Sequence, residues 1–391
     1  MIFIMILTAA TACYGMWEYF RHQKNINAVR IRIMVNGTRG KSSVTRLIAA
    51  GLRSGGMRTL GKTTGTKPRL IYPNGSEAPI MRPGKANIIE QLKVFRRAAS
   101  LEVDALVVEC MAVLPANQLI MERQMVRSTV GVITNVRADH LDEMGPTIEE
   151  VARALSNTIP SHGILFTSEQ TFMPLFNEVA TTQGSQLVHV ASDMITDGMM
   201  KGFSYIEHKD NVALALGVCE HFGVSRTEAL RGMYEAIPDP GVLRIFTIHH
   251  YEKEIEFVNA FAANDPDSYV LIWDLLKGHR MRSKTVIGLV NCRQDRIQRT
   301  ESLAELIARK FPADHFILVG EFTTPLLNKA ISMGLPFSKI SNMADAAPTE
   351  VFEQAAFLSG TRSLVVGIGN IVGFGEEILT TFTSRGKEIA Y

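Results

Sequence analysis

The chain has few cysteines, almost no net charge and no repeated or low-complexity segment, and each of these features excludes a class of protein. Its four cysteines are far apart and form neither a C-x-x-C pair nor a metal-binding spacing, so a reduced cytosolic setting is expected. A formal net charge of +2 without a long basic run argues against nucleic acid as a partner. With 391 residues, the chain is long enough for two or three domains.

The first twenty residues differ from the rest. Residues 1–17 carry no charged side chain, and a helix extended to Phe20 would span about 30 Å, enough for the hydrocarbon core of a bilayer. Arg21 and Lys24 follow, so the positive-inside rule places the rest of the chain in the cytoplasm. A cleaved signal peptide is less expected, because no basic residue precedes the apolar segment. The other alternative is a helix buried against the rest of the protein. We predict a single-pass anchor in the cell membrane.

A glycine-rich turn, Gly37-Thr38-Arg39-Gly40-Lys41-Ser42, follows an apolar segment and precedes apolar residues at helical spacing. Such a turn directs backbone N–H groups and the helix dipole at an anion. We therefore expect phosphate contacts from residues 37–43, which are Gly37, Thr38, Arg39, Gly40, Lys41, Ser42 and Ser43. Lys41 would reach the β- and γ-phosphates, and the Ser42 hydroxyl would bind Mg²⁺. Val35 departs from the general P-loop pattern, which has glycine there, and a plain turn with an exposed lysine is the alternative.

From residue 31 onward, segments with strand and helix spacing alternate, which is typical of an α/β fold with a mainly parallel sheet. We predict strands at 31–35, 105–109, 129–135 and 163–167, and helices at 43–54, 87–100, 148–158 and 211–222. A capping box from Thr147 to Glu150 is expected to open the third helix. Residues 61–86, rich in Gly, Pro, Thr and Lys, are predicted to form a functional loop.

The segment Pro238-Asp-Pro-Gly241 indicates a hinge, and a second α/β series follows it. Its predicted strands are near 255–259, 285–290, 315–319 and 363–367, with helices near 267–280, 300–310, 345–358 and 374–385. The predicted organisation is therefore an anchor at 1–25, a central domain at 26–240 and a smaller C-terminal domain at 241–391.

Two groups of polar residues follow predicted strands. Glu109 ends an apolar strand, and the carboxyl ends of parallel strands face the ligand crevice in open α/β sheets. A carboxylate beside a triphosphate is a natural Mg²⁺ ligand, although a strand-end Glu at the surface is the alternative. The segment 135–145 places Asn135, Asp139 and His140 after the next strand. It predicts a second metal or phosphate site, or an ordinary surface loop.

Taken in order, these motifs resemble the Mur ligase superfamily: Gly-Thr-x-Gly-Lys-Ser, a strand-terminal Glu, then Asn-Val-x-x-Asp-His-Leu-Asp. Members of that superfamily join a carboxylate to an amine with ATP. The resemblance extends to three further segments. Residues 208–215 resemble the superfamily's adenine-contacting segment, in which Asn211 would be the asparagine that contacts the base. Residues 241–244 resemble the interdomain segment, in which Arg244 would contact phosphate. Residues 259–265 resemble the start of the C-terminal ligase domain. A P-loop ATP-binding central domain and a Rossmann-like C-terminal domain are thus implied.

Four short segments resemble one branch of that superfamily, the membrane-associated catalytic subunit of bacterial poly-γ-glutamate capsule synthase. They are residues 62–66, 109–113, 262–265 and 291–296. The sequence also departs from the superfamily. Residues 154–156, Ala-Leu-Ser, lack the lysine that is often carbamylated, Asn259 replaces a ribose-binding Asp, and Ala263 replaces a His. The glycine-rich turn of residues 37–43, called the phosphate loop below, begins within forty residues of Met1. No domain that binds a UDP-sugar precursor is therefore expected.

The resemblance implies an ATP-dependent amide ligase that extends poly-γ-glutamate through an acyl phosphate. Its cofactors would be ATP and Mg²⁺, or Mn²⁺, with metal ligands Ser42, Glu109 and His140. The catalytic residues would be Lys41, Glu109, His140, Arg293 and Arg296, the two arginines binding glutamate carboxylates or forming surface ion pairs. Its partners would be glutamate, the growing polymer, small membrane subunits of a synthase and export complex, and a second copy of the chain. The alternatives are a folylpolyglutamate-type or other Mur-like ligase, and a membrane-tethered P-loop ATPase that drives polymer assembly or export.

Overall fold

The computed structural model describes residues 1–65, 68–82, 84, 86–238, 243–261, 263, 266–293, 302–371 and 373–389. The chain divides into two compact units, Met1–Gly202 with His208–Asp239 and Phe203–Glu207 with Pro240–Tyr391. Each unit is built on one mostly parallel sheet. The predicted α/β fold class is therefore confirmed.

The first unit contains an eight-stranded sheet. Its strands are β1 (Ile31–Asn36), β2 (Thr59–Thr63), β3 (Arg69–Ile71), β4 (Glu77–Pro79), β5 (Ala105–Glu109), β6 (Val130–Ile133), β7 (Ile164–Thr167) and β8 (Gln186–His189). They lie in the order β4-β3-β2-β5-β1-β6-β7-β8, and only β3 and β4 run antiparallel to their neighbours. The central strands are almost continuously apolar because helices cover both faces of the sheet.

The helices of the first unit alternate with these strands. They are α1 (Ile2–Ala28), α2 (Lys41–Ser54), α3 (Glu90–Ser100), α4 (Pro115–Ile120), a π-helix (Met121–Val126), α5 (Leu141–Met144), α6 (Ile148–Ser156), α7 (Met173–Thr182), a 3₁₀-helix (Ser192–Met194), α8 (Asp197–Met200), α9 (Lys209–His221) and α10 (Arg226–Tyr234).

The side chains of β2 show how the helices form two layers. Leu60 packs in one core cluster with Phe95 of α3, whereas a Cβ on Gly61 would meet Ala49 of α2. Successive strand residues point to opposite faces, so α2 and α3 cover opposite faces of the sheet. Helices α9 and α10 pack against α2.

The N-terminal helix α1 is 27 residues long, and its buried residues are His22 and Ile26 near its end. The Nε2 atom of His22 lies 2.9 Å from the carbonyl oxygen of Met125, and its ring contacts Phe95 edge to face. Residues 2–17 are exposed throughout, so this stretch does not pack against the rest of the protein. By length and composition α1 could cross a membrane.

Several element boundaries differ from the prediction. Residues 61–86 were predicted as one loop, but they contain the end of β2 and the hairpin of β3 and β4, turned at Gly75 with φ +83°. The strand predicted at 129–135 ends at Ile133, because the next two residues bond the glycine-rich turn. The helix predicted from residue 87 begins at Glu90, since the Asn87 side chain accepts the backbone N–H of Ile89 at 3.0 Å. The capping box is confirmed, with Thr147 and Glu150 bonded reciprocally.

The second unit contains a seven-stranded sheet. Its strands are β9 (Arg244–His250), β10 (Lys253–Asn259), β11 (Thr285–Cys292), β12 (His315–Gly320), β13 (Ile340–Met343), β14 (Arg362–Gly369) and β15 (Gly386–Ile389), in the order β13-β12-β11-β14-β10-β9-β15. Its helices are α11 (Pro266–Leu275), α12 (Lys277–Arg282), a π-helix (Leu306–Lys310), α13 (Thr323–Ser332), a 3₁₀-helix (Phe337–Lys339), α14 (Pro348–Leu358) and α15 (Phe374–Thr383). The helix predicted at 267–280 is thus two helices, and residues 300 and 301 of another lie outside the described residues.

Core side chains lie on both faces of this second sheet. Val290 packs with Trp273 of α11 on one face, whereas Leu289 packs with Phe352 of α14 on the other. The unit is therefore a three-layer α/β/α arrangement, as the Rossmann-like prediction requires. The short segment 203–207 joins this unit, since Ile206 packs in the same cluster as Leu243.

Candidate nucleotide and metal site

The glycine-rich turn lies between β1 and α2, at the carboxyl edge of the sheet. Gly37 has φ +130° and Gly40 has φ +80°, where residues with a Cβ are strained. A Cβ on Gly37 would overlap Thr134, and one on Gly40 would lie 2.5 Å from the Oδ1 atom of Asn211. Only glycine therefore fits at these two positions. The resulting cradle of backbone N–H groups at a helix N-terminus suits a phosphate.

The departure at Val35 has a structural reason. Val35 lies within β1, where it pairs with Glu109 of β5 on one side and Val132 of β6 on the other. It is fully buried. The strand runs on to Asn36, so the turn itself begins at Gly37 and needs no glycine two residues earlier.

The residues after β6 fix the turn from the side. The Thr38 hydroxyl donates to the Asn135 side-chain oxygen at 2.7 Å, and the Arg39 backbone N–H donates to the same oxygen at 3.1 Å. The Thr134 hydroxyl donates to the Arg39 carbonyl oxygen at 2.6 Å. The start of the segment that we predicted as a second metal or phosphate site thus holds the phosphate loop in place.

Lys41 is folded back onto the turn. Its Nζ atom donates to the carbonyl oxygens of Gly37 at 2.7 Å and Thr38 at 3.2 Å. Burial lowers the pKa of Lys41, and the nearby carboxylates of Glu109 and Asp139 oppose that effect. The ammonium group is therefore held beside the cradle, where an arriving phosphate would offer it a stronger, anionic partner.

Ser42 and Glu109 meet beside the turn. The Ser42 hydroxyl donates to Glu109 Oε2 at 2.9 Å, and the Thr64 backbone N–H donates to the same oxygen at 2.6 Å. Glu109 is only 3% exposed. A carboxylate and a hydroxyl are the oxygen ligands that Mg²⁺ prefers. The described residues contain no group of three or more His, Cys, Asp or Glu able to hold a metal alone. A metal here would need phosphate and water oxygens, which is usual for Mg²⁺.

His140 lies in a different environment from Glu109. It caps the short helix α5 with φ +47°, and its ring nitrogens face Glu143 at 3.1 Å and Asp139 at 3.9 Å. Asp139 in turn pairs with Arg39 of the turn at 2.9 Å. Within the part of the chain that the structure describes, no hydrogen bond or ion pair joins His140 to Glu109. His140 is linked to the phosphate loop through Asp139 and Arg39.

A buried ion-pair cluster at the end of β2 was not predicted from the sequence. Lys62 is fully buried, and its Nζ lies 2.9 Å from Glu90 Oε1, while Arg82 holds both oxygens of Glu90 at 2.7 and 3.1 Å. Burial lowers the pKa of Lys62, against the opposing charge of Glu90. The only sequence signal was the resemblance of residues 62–66 to a capsule-synthase segment, which assigned no role to Lys62.

The remaining candidate residues are placed as follows. Asn211, near the start of α9, is almost fully buried beside Gly40, and Ser43 lies in the first turn of α2. In the second unit, Arg244 opens β9 and lies 3.5 Å from Glu388, and Arg293 directly follows β11 and is half-buried. Arg296 lies outside the described residues.

The departure at Asn259 coincides with an unsatisfied polar group. Asn259 ends β10, and its buried side-chain oxygen has no hydrogen-bond partner among the described residues. The same is true of the side-chain oxygen of Asn291 near the end of β11. Two buried acceptors at the carboxyl edge of this sheet could each receive a donor from a ligand.

Known families and proteins resemble the chain over most of its length. The Mur ligase middle domain family matches residues 35–215, and the family described as poly-gamma-glutamate synthase CapB C-terminal domain matches residues 245–385. The chain is 40% identical to the capsule biosynthesis protein CapB of Bacillus anthracis over 382 residues, which cover 97% of this chain and 82% of that protein. It is 37% identical to the PGA synthase CapB of Bacillus subtilis (strain 168), with 96% of each chain covered.

Solved structures share the fold at low sequence identity. E. coli FolC in complex with ADP superposes with a TM-score of 0.67 at 14% identity, covering 94% of this chain and 93% of that one. MurF from Acinetobacter baumannii gives 0.65 at 16% identity, covering 94% and 79%. A bifunctional folylpolyglutamate synthase/dihydrofolate synthase with Mn, AMPPNP and L-glutamate bound gives 0.62 at 14% identity, covering 92% of each chain.

The relatives identified by sequence establish more than the solved structures do. The solved structures establish only a common fold, because their identities to this chain are 14–16%. The two Bacillus proteins match nearly the whole chain, through both units and the phosphate loop. The chain therefore belongs to the CapB family of poly-gamma-glutamate synthases, whose central domain is a Mur ligase middle domain.

Proposed function

We propose that this protein is an ATP-dependent amide ligase that extends a γ-linked glutamate polymer for capsule synthesis. One observation carries the proposal: identity of 40% over 97% of the chain to a capsule biosynthesis protein. The reaction class is that of the Mur ligase family, an ATP-dependent ligation. The half-buried phosphate loop with Lys41, Ser42 and Glu109 supports the use of ATP.

In the proposed reaction, the terminal carboxylate of the growing chain attacks the γ-phosphorus of ATP, which gives an acyl phosphate and ADP. The amine of an incoming glutamate then attacks the acyl carbon. The amide bond forms as phosphate leaves and the amine loses its proton. The protein contributes positioning and charge neutralisation, because the acyl phosphate itself supplies the activation.

In this proposal the phosphate loop holds the triphosphate. The backbone N–H groups of Thr38 and Arg39 already bond Asn135, so the other N–H groups of residues 37–43 donate to the triphosphate oxygens. Lys41 exchanges two neutral carbonyl oxygens for anionic ones. Asn211, beside Gly40, contacts the adenine, and Arg244 contacts a phosphate.

Ser42 and Glu109 would hold one Mg²⁺, or Mn²⁺, and His140 would help to bind a second. When bound, the metal screens the repulsion between the reacting carboxylate and the triphosphate. The support for the first site is the existing contact of 2.9 Å between the Ser42 hydroxyl and the Glu109 carboxylate. At the second site, the His140 ring faces Glu143 and Asp139, two carboxylates of the kind that bind Mg²⁺.

Arg293 and Arg296 are the proposed binders of glutamate carboxylates, because guanidinium forms bidentate pairs with them. Arg293→Ala should then raise the KM for glutamate more than the KM for ATP. Arg293→Lys should restore the glutamate KM only in part, since lysine cannot make the bidentate pair. A raised ATP KM with an unchanged glutamate KM would instead move Arg293 to the nucleotide.

We also propose that residues 1–25 anchor the protein in the cell membrane as a single span, with residues 26–240 and 241–391 as cytoplasmic ATP-binding and ligase domains. The exposed, uncharged residues 2–17, followed by Arg21 and Lys24, support this orientation. Tethering would bring the ligase to small membrane subunits of a synthase and export complex, and a homo-oligomer is compatible with it.

The test is ADP release by the full-length protein in membranes, with and without glutamate and a γ-glutamate acceptor. A ligase should release ADP only when both are present, and amide product should appear in equal amount. Lys41→Ala should abolish turnover, whereas the exposed control Lys93→Ala should match the wild type. ADP release independent of glutamate would favour a P-loop ATPase that drives assembly or export. Addition of glutamate to a folate acceptor, but not to γ-glutamate, would favour a folylpolyglutamate-type synthase.

A further inference from the structure

A cavity of about 530 Å³ lies in the first unit, away from the phosphate loop. Its walls are the second half of α2, the end of α10 and the hairpin of β3 and β4. The volume is that of a typical small-ligand site. The reaction proposed above uses none of the side chains that line it.

Three arginines line this cavity, and one of them builds its wall. Arg46 is 3% exposed, its guanidinium pairs with both carboxylate oxygens of Glu77, and it donates to the Ile237 carbonyl oxygen at 3.1 Å. A buried bidentate pair of this kind is rigid. It ties the β3–β4 hairpin to α2 and fixes the shape of the cavity.

The other two arginines supply positive charge. The Nη1 atom of Arg53 is buried and has no hydrogen-bond partner in the described part of the chain. Arg231 is exposed, and its Nη2 lies 3.3 Å from the Ser54 hydroxyl. A guanidinium N–H without a partner is costly, so a turn of the Arg53 side chain that brings this group to an anion in the cavity would be favourable.

The charges around Arg53 favour an anion. Burial lowers the pKa of Arg53, and the like charge of Arg46 adds to that effect, while Glu77 opposes it. Glu77 is already paired with Arg46, and Glu235, the other acidic residue of the lining, is exposed. The lining holds three arginines against two carboxylates, so an anion between Arg53 and Arg231 would meet a formal excess of one positive charge.

We propose that this cavity binds the free carboxylates of the growing γ-linked glutamate chain, a few residues behind its reacting end. The inference rests on the proposed function, which supplies a polyanion with one free carboxylate per residue. Arg53 lies twelve residues after Lys41 on the same helix, about 18 Å along its axis. A γ-linked residue spans about 6 Å, that is, the ~3.5 Å of an α-linked residue plus two further C–C bonds. The cavity would thus hold residues about three positions behind the phosphate loop.

The test uses full-length protein in membranes and γ-glutamate acceptors of two and of ten residues. For the wild type, the ten-residue acceptor should have the lower KM. Arg53→Gln should raise the KM for the ten-residue acceptor about tenfold relative to the KM for the dimer. This is the change expected from the loss of one charge-assisted hydrogen bond. Arg231→Gln should act in the same direction, and its exposed position makes misfolding no concern. Arg53→Lys should restore part of the length preference, because charge remains but the fork is lost.

Arg226→Gln is the matched control. Arg226 lies on α10, like Arg231, but it pairs with Glu220 and does not line the cavity. Its ratio of the two KM values should equal that of the wild type. If Arg53→Gln and Arg231→Gln keep the wild-type ratio while the wild type elongates both acceptors, this inference is wrong and the proposed function stands. If the wild type elongates neither acceptor, the proposed function fails first.

Discussion

Replacing Gly40 by alanine tests the phosphate cradle most directly. Gly40 is the N-cap residue of α2 and has φ +80°. An added Cβ would lie 2.5 Å from Asn211 Oδ1 and 3.2 Å from its Nδ2. The variant therefore combines an unfavourable backbone conformation with an overlap against a nearly buried side chain.

The two costs can be estimated separately. A left-handed backbone conformation costs a residue with a Cβ about 1–2 kcal/mol. Moving Asn211 in a packed region costs about 1–3 kcal/mol more. We expect Gly40→Ala to lower the free energy of unfolding by about 2–5 kcal/mol. It should also weaken Mg·ADP binding at least tenfold, because the N–H groups of the turn lose their alignment.

Gly56→Ala provides the matched control. Gly56 follows the other end of α2 with φ +85°, and no atom lies within 4 Å of an added Cβ. This variant should lose only the backbone term of about 1–2 kcal/mol. Its affinity for Mg·ADP should equal that of the wild type, since the residue lies far from the turn.

Chemical denaturation of the detergent-solubilised protein measures the first quantity, and isothermal titration calorimetry with Mg·ADP measures the second. In the double variant Gly40→Ala/Asn211→Ala, the loss of stability should be smaller than the sum of the single losses, because the overlap is gone. Wild-type affinity in Gly40→Ala, or an equal loss of affinity in Gly56→Ala, would refute the cradle as the nucleotide site.

Three further predictions concern charged side chains. Glu109→Gln should keep the fold and need a much higher Mg²⁺ concentration for half-maximal activity, since a neutral amide is a weak ligand; an unchanged Mg²⁺ titration would contradict this. Burial raises the pKa of Glu122 from 4.5 to about 7. Between pH 4.5 and 7 the folded state therefore holds a proton that the unfolded state releases. The free energy of unfolding should fall by about 3 kcal/mol as the pH rises through this range. Glu122→Gln should remove this dependence of the free energy of unfolding on pH, measured by denaturation at about pH 5–8. The amide carries no charge but can still bond the backbone N–H and the hydroxyl of Ser128. If the dependence persists in the variant, it comes from another group. Lys62→Met should destabilise the protein by about 1–3 kcal/mol, because Glu90 loses one of its two cationic partners and keeps Arg82. Adding Glu90→Gln should recover part of the loss in the same denaturation assay, and an unchanged free energy of unfolding in Lys62→Met would contradict this.

The sequence determined the local elements of the phosphate site. The apolar segment at 31–35 predicted β1, and the glycines and Lys41 predicted the turn before α2. The capping box at Thr147 was predicted for the same reason. Each of these signals depends on residues within a few positions of one another, because turn geometry, capping and helical spacing are local properties.

Only the tertiary structure decided which distant residues meet at the turn. Thr134 and Asn135 leave their strand and bond the loop almost a hundred residues earlier, which shortened the strand predicted there. The Lys62–Glu90 pair and the hairpin inside the predicted loop at 61–86 arise in the same way. The metal role of His140 stays a prediction, since its contacts belong to a neighbouring loop.

The cavity beside Arg53 also could not be predicted from the sequence. Arg53 and Arg231 are 178 positions apart in the chain, and neither belongs to a recognisable motif. They line one cavity because α10 packs against α2, and that packing depends on the complementary shapes of two buried surfaces. Spacing and composition report the contacts within one element, whereas a site built from several elements depends on how those elements pack together.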